Sequence, residues 1–308
     1  MTPRRWLLAG GLVIAVLAIG GAAVLFGRGA GSATVPSGPI TLDSCNGTPP
    51  FATDAGMIDP VFTTATRESQ GLVVIFDNGQ GEQGSFVHPS YGDAGDLGTI
   101  TISPNGEVFT VPRPAIDVLE NPAEERNTIF RVDPETGVLS AWAELPLVHE
   151  PLDQPFGIMG LAVDCTEPFL YATSLTGTTP EEEGGSLWRI DRRTREAELI
   201  YEGFDATSIA VGSSLGRRVL VIGAARTGAL YVAPVADELP APALLSRLEG
   251  VGATLSVRAI KLRPDATAPV RMVATVIDFD FSLRAQPAQA TQTITFEWEP
   301  EGGYRQVG

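Results

Sequence analysis

Phe130-Arg131-Val132-Asp133-Pro134-Glu135-Thr136-Gly137 is a short strand running into a turn, and it decides the fold because the chain repeats it. Phe130 and Val132 alternate with Arg131 and Asp133, the period of two that sends apolar groups to one face of a strand and polar groups to the other. Pro134 presets φ for the first corner of a turn, and Gly137 can take the left-handed conformation that closes it. Leu139, Ala141 and Ala143 then resume the alternation. Kindred stretches run from Val74 to Gly81, Trp188 to Asp191, Leu230 to Pro234 and Phe296 to Gly303. With Asp77, Asp133, Asp191, Ala233 and Glu299 as equivalent positions, the spacings are 56, 58, 42 and 66 residues. A strand-built repeat of that length predicts an all-β chain folded as a β-propeller.

Each turn is preceded by a second strand pair. Gly98 to Ile102 leads through Ser103-Pro104-Asn105-Gly106 into Val108 to Val111, and Leu161 to Val163 leads into Phe169 to Ala172. Ser208 to Val211 pairs in the same way with Val219 to Ile222, and Ala259 to Leu262 with Met272 to Val276. Two hairpins make a four-stranded blade. Five blades is the direct count, the first and least regular spanning about 50–92; a sixth assembled from the two chain ends is the alternative. Beyond the amino-terminal segment no helical periodicity stands out.

The stretch Ser-Pro-Asn-Gly-Glu-Val-Phe at 103–109, followed by Ile-Phe-Arg-Val-Asp-Pro-Glu-Thr-Gly at 129–137 and its echo at 161–191, resembles bacterial propellers of the NHL and SMP-30/gluconolactonase-like superfamily. The resemblance implies a propeller over most of the chain, with six blades as the family's number. Its lactonase-like members hold a divalent metal in the central channel through an acidic residue and asparagines from different blades. Those ligand motifs have no counterpart in this sequence, so the resemblance bears on the fold.

Trp6 to Phe26 is 21 residues without a charge, long enough to cross a bilayer as a helix. Arg4 and Arg5 precede it and only Arg28 follows, which keeps the amino terminus in the cytoplasm. The sequence therefore predicts a cytoplasmic start and signal-anchor over 1–28, a Gly/Ser/Pro-rich tether over 29–39, and an extracytoplasmic propeller over 40–308. That places a single-pass protein in a bacterial cytoplasmic membrane. Cleavage near Gly31-Ser32-Ala33, giving a secreted protein, and twin-arginine export are the alternatives.

Removing Arg4, Arg5 and Arg28 with the first 28 residues leaves 18 basic against 37 acidic residues, a net charge of −19. Such a surface excludes nucleic acid as a partner. Lys261 is the only lysine against 20 arginines, a bias expected of a GC-rich genome. Cys45 and Cys165 are the only cysteines, and both lie beyond the membrane segment, where a disulfide can form. Two free buried thiols are the alternative.

Loops joining the hairpins of one blade share a face with loops joining successive blades. On that face the sequence places His88, Tyr91, Asp93 and Asp96 in one inter-blade loop, and His149, Glu150 and Asp153 in the next. Asp117, Glu120 and Glu124 come from the loop inside the second blade, Glu181 to Glu183 from that inside the third, and Asp278 and Asp280 from near the bend of the fifth. Histidines among carboxylates suit a divalent cation such as Ca²⁺. The plainer readings are a solvated acidic loop face and, for His88 beside Pro89, a satisfied loop residue.

No Gly-x-Ser-x-Gly elbow, His-Glu-x-x-His pair, phosphate loop or close cysteine pair occurs, which excludes the corresponding hydrolase, protease, nucleotide-dependent and redox classes. The expected function is a noncatalytic binding or scaffold propeller that takes a protein, peptide or glycan, without a cofactor. The competing expectation is a divalent-metal-assisted lactonase or hydrolase.

Overall fold

The structure, a computed structural model, describes residues 33–64, 71–113, 125–147, 156–247, 256–265, 268, 270–279 and 292–307. Strand β1 (Thr41–Leu42) and helix α1 (Pro50–Asp54) precede a first sheet of β2 (Ile58–Thr63), β3 (Val73–Asp77) and β4 (Gln83–Phe86). The second holds β5 (Leu97–Ile102), β6 (Val108–Pro112), β7 (Thr128–Val132) and β8 (Leu139–Glu144). The third holds β9 (Ile158–Val163), β10 (Phe169–Ser174), β11 (Ser186–Asp191) and β12 (Ala197–Glu202). The fourth contains β13 (Ala206–Ser214), β14 (Arg217–Ala224), β15 (Ala229–Pro234) and β16 (Ala243–Arg247), and the fifth β17 (Ser256–Pro264), β18 (Met272–Phe279), β19 (Gln292–Glu299) and β20 (Gly303–Gln306). Every neighbouring pair is antiparallel. This is a five-bladed β-propeller.

Three blades have the expected four strands and two do not. The first has three, because the residues ahead of β2 run along the turns of other blades and into α1 instead of forming an inner strand. Its register slips between Ile58 and Val61, where Asp59 has φ 48° and Pro60 has no N–H to donate. The fourth has five, since β1 adds to β13 in the register Thr41↔Ser213 and Leu42↔Gly212. The amino-terminal strand thus joins an existing blade, and no sixth blade forms among the described residues. Trp6 to Phe26 lies outside the described residues, among which no helix is long and apolar enough to cross a membrane.

The period of two explains how the blades pack. On β10, Leu170 and Ala172 enter the cluster with Phe109, Val111 and Trp142 of the second blade, while Tyr171 enters the cluster with Val211 and Leu220 of the fourth. On β14, Val219 and Val221 meet Met272 and Phe296 of the fifth blade, and Leu220 and Ile222 turn the other way. Both faces of these strands are buried, so they read as nearly continuous apolar runs instead of half-polar ones. Clusters join blades one to two, two to three, three to four and four to five. None of those clusters joins the fifth blade to the first.

The segment from Ile40 to Phe51 instead links the fifth blade to the first as a strap that passes the turns of the blades between them. Tyr304 on β20 accepts from the Ile40 N–H at 2.6 Å and donates to the Ile40 carbonyl at 3.0 Å. Ile40 and Leu42 are buried between the fourth and fifth blades, worth about 1.5–3 kcal/mol each. Asp43 then takes the Arg218 guanidinium, which also holds Asp164 of the third blade, and accepts the Cys165 N–H at 3.1 Å. The hydrogen bonds that Asp43 accepts from it hold the guanidinium protonated to still higher pH than usual, outweighing the effect of its burial. Cys45 and Cys165 form the expected disulfide, with Cα atoms 5.4 Å apart and a separation of 120 positions in sequence. Gly47 donates to Ser103 of the second blade at 3.1 Å and lies so close to Pro104 that a Cβ would sit 2.2 Å from its carbonyl oxygen. Phe51 donates to Pro134 at 3.0 Å and packs on Phe62 and Phe86 of the first blade. The strap therefore touches blades five, four, three, two and one in turn.

Candidate functional site

The strap runs under the hairpin turns 103–107, 133–138, 164–168 and 215–216. The connections at the opposite strand ends, 113–127, 145–157, 175–185 and 280–291, are mostly longer in sequence. This long-loop face is the candidate functional site.

Asp205 holds its best-defined part. The carboxylate is fully buried and accepts from Thr178 Oγ1 at 2.5 Å, the Gly185 N–H at 2.9 Å and Arg226 Nε at 2.6 Å. Arg226, in the β14–β15 connection, also donates to the carbonyls of Thr179, Pro180 at 2.8 Å and Glu182 at 2.9 Å. One ion pair at the end of the β13–β14 hairpin therefore fixes most of loop 175–185 of the preceding blade. The loop reaches it only because Gly184 and Gly185 lack side chains: a Cβ would come within 2.5 Å of the Gly177 carbonyl oxygen and 2.4 Å of that of Phe204. Burial, with the charge of Asp205 beside it, pushes the Glu183 carboxyl above the usual range, while the Asp205 N–H and Arg226 act in the other direction. At the same loop's start Asn127 Oδ1 accepts from Thr176 Oγ1 at 2.9 Å and Ser174 Oγ at 3.4 Å, tying it to the second blade.

His88 has a local role. Its Nδ1 lies 2.8 Å from Ser90 Oγ and accepts the Ser90 N–H at 3.2 Å, capping the 3-10 turn Pro89–Ala94. Ser90 Oγ accepts the Leu139 N–H at 2.9 Å, and the imidazole packs against Phe86 and Tyr91. The Tyr91 hydroxyl is buried without a partner among the described residues, and burial raises its pKa. Asp93 is exposed, and the Asp96 carbonyl accepts the Arg113 N–H at 2.7 Å. Asp278 pairs with Val257 across β17–β18. Asp117, Glu120, Glu124, His149, Glu150, Asp153 and Asp280 lie outside the described residues. Among the described residues no three histidine, cysteine or carboxylate side chains come together so as to hold a metal ion.

Sequence reasoning singled out neither Asp205, Arg226 nor Asn127. Their partners lie on other blades, and the one local sign is an acid in the short connection Gly203-Phe204-Asp205 between two apolar strands.

No protein-family model and no curated protein matches the chain in sequence. Among solved structures, an oligogalacturonate lyase in complex with manganese is similar at a TM-score of 0.45 and 11% identity, over 89% of this chain and 67% of that one. An α-L-arabinofuranosidase from Lactobacillus brevis is similar at a TM-score of 0.44 and 10% identity, over 81% and 93% of the two chains. The calcium-binding protein regucalcin from Agrobacterium tumefaciens is similar at a TM-score of 0.37 and 14% identity, over 82% and 77%. Likenesses this distant leave activity open, and the propeller assignment rests on the five sheets themselves.

Proposed function

We propose that the chain is an extracytoplasmic binding module, held at the outer face of a bacterial cytoplasmic membrane through Trp6–Phe26, which uses its long-loop face to take a protein, peptide or glycan. The observation that carries this reading is what the described charged groups of that face do. Asp205 and Arg226 grip loop 175–185, and His88 caps its own turn, so these groups position loops instead of converging on a reacting atom. Export is supported by the disulfide, which belongs to an oxidising compartment, and by the uncharged stretch ahead of it. Kinship with the NHL branch fits this role; kinship with the SMP-30-like branch would instead mean a metal-assisted lactonase.

The two roles separate in one experiment. The full chain in detergent micelles is applied to peptide and glycan arrays with Ca²⁺ and with chelator, and its thermal unfolding is followed with Ca²⁺, Mn²⁺ and Zn²⁺. Retention of a ligand class with and without chelator is the expected result. A metal-dependent rise in melting temperature together with hydrolysis of a simple lactone would replace the binding module by the lactonase.

A further inference from the structure

The strap face holds a cavity of about 420 Å³ between the second and third blades, lined by Pro104, Asn105, Glu107, Pro168, Arg192 and Arg193. At its floor the Glu107 side chain is only 10% exposed, and both carboxylate oxygens are taken: Oε1 by Arg131 NH1 at 3.1 Å, Oε2 by Arg192 NH1 at 2.7 Å and Ser103 Oγ at 3.5 Å. Asn105 Oδ1 is likewise occupied, by Ser103 Oγ at 2.5 Å.

Among the donors, Arg192 Nε is buried with no partner among the described residues. Arg193, 71% exposed, is gripped by Asp191 through Nε at 3.3 Å and NH2 at 3.1 Å, which orients the guanidinium at the rim. A tie between blades explains the Glu107–Arg192 pair, but it does not require Arg193 at the rim. Oriented guanidinium groups match the oxygens of carboxylate and phosphate. The cavity is too large for a bare inorganic ion, and Pro104 and Pro168 offer apolar walls to the body of a ligand.

We propose that this cavity binds a small organic oxyanion, its charged end at Arg193 and Arg192 and its apolar body between the two prolines. The test is calorimetric titration of the full chain in micelles with benzoate and with phenyl phosphate at fixed ionic strength, benzamide serving as the neutral control. Saturable binding of one anion and none of benzamide is expected, and the tighter anion tells whether the natural oxyanion is a carboxylate or a phosphate ester. Arg193→Gln removes a charge-assisted donor from an exposed side chain and should weaken binding roughly tenfold. Glu107→Gln removes the negative floor and should tighten it, a change of sign that general loosening of the fold would not produce. Absence of saturable binding to either anion, equal binding of benzamide, or an unchanged affinity in Arg193→Gln would overturn the proposal.

Discussion

The two faces of the propeller are made by the same meandering strands and are held in different ways. On the strap face the turns are short and stabilised by their own residues. Asp133 Oδ1 accepts the N–H groups of Glu135 and Thr136, both at 3.1 Å; Asp191 Oδ1 accepts that of Arg193 at 2.7 Å; and Asp164 Oδ1 those of Thr166 and Glu167 at 2.9 and 3.1 Å. On the long-loop face order comes from far away in sequence, through Asp205–Arg226 and Asn127–Thr176. Local chemistry therefore makes one face a rigid base, while the other depends on contacts that exist only once neighbouring blades have met.

The comparison can be broken from the base. Cys165→Ser removes a link closing 120 residues and should cost about 4 to 5 kcal/mol, read as a fall in the denaturant midpoint; a change below about 1 kcal/mol would mean that the strap holds without it. It can be broken next from the loop face. Asp205→Ala leaves the Arg226 guanidinium partly buried without its carboxylate, at a cost of about 3–5 kcal/mol. Loop 175–185 should then become cleavable by protease while the disulfide stays intact; protection equal to that of the unaltered chain would remove Asp205 as its anchor.

Tyr304→Phe sharpens the contrast by testing the strap's hold on the fifth blade alone. It removes the hydroxyl's bonds with Ile40 and should cost about 1–3 kcal/mol, with faster amide exchange at Ile40 as its local signature. The smallest effect concerns a single turn. Arg193 holds the Asp191 carboxyl down at about 2 against the ordinary 3.8, so its contribution is present above pH 3.8 and is lost as the pH falls through about 2. Asp191→Asn should cost less than about 1 kcal/mol at neutral pH and should flatten that acid limb of the stability curve; an unchanged limb would show that the turn does not sense the charge.

How much could be read in the sequence follows the same division. Asp77, Asp133 and Asp191 mark the register of the repeat because each caps its own turn, and Gly137 and Gly303 close theirs at φ 74° and 73°. Where the fourth blade has Ala233-Pro234 the cap is missing and the connection lengthens to 235–242, yet the strands on either side keep their alternation. Of the strap only the Cys45–Cys165 link was legible. Thr41–Leu42 is too short to show a period, and its meaning lies in Tyr304, Arg218 and Cys165. The loop face was legible as a location but not in its chemistry: His88 Nδ1 is engaged within its own turn, whereas Asp205 and Arg226 reach loop 175–185 only once the third and fourth blades have met.

The strap also imposes an order in time. Ile40 leaves the ribosome long before its partner Tyr304, so an early segment of the propeller waits for the last strand of the fifth blade. A chain made only as far as the fourth blade carries an unfastened clasp, and the arrival of β20 fastens it. A chain stopped at Gly303 should keep 40–51 open to protease, where the finished protein protects it.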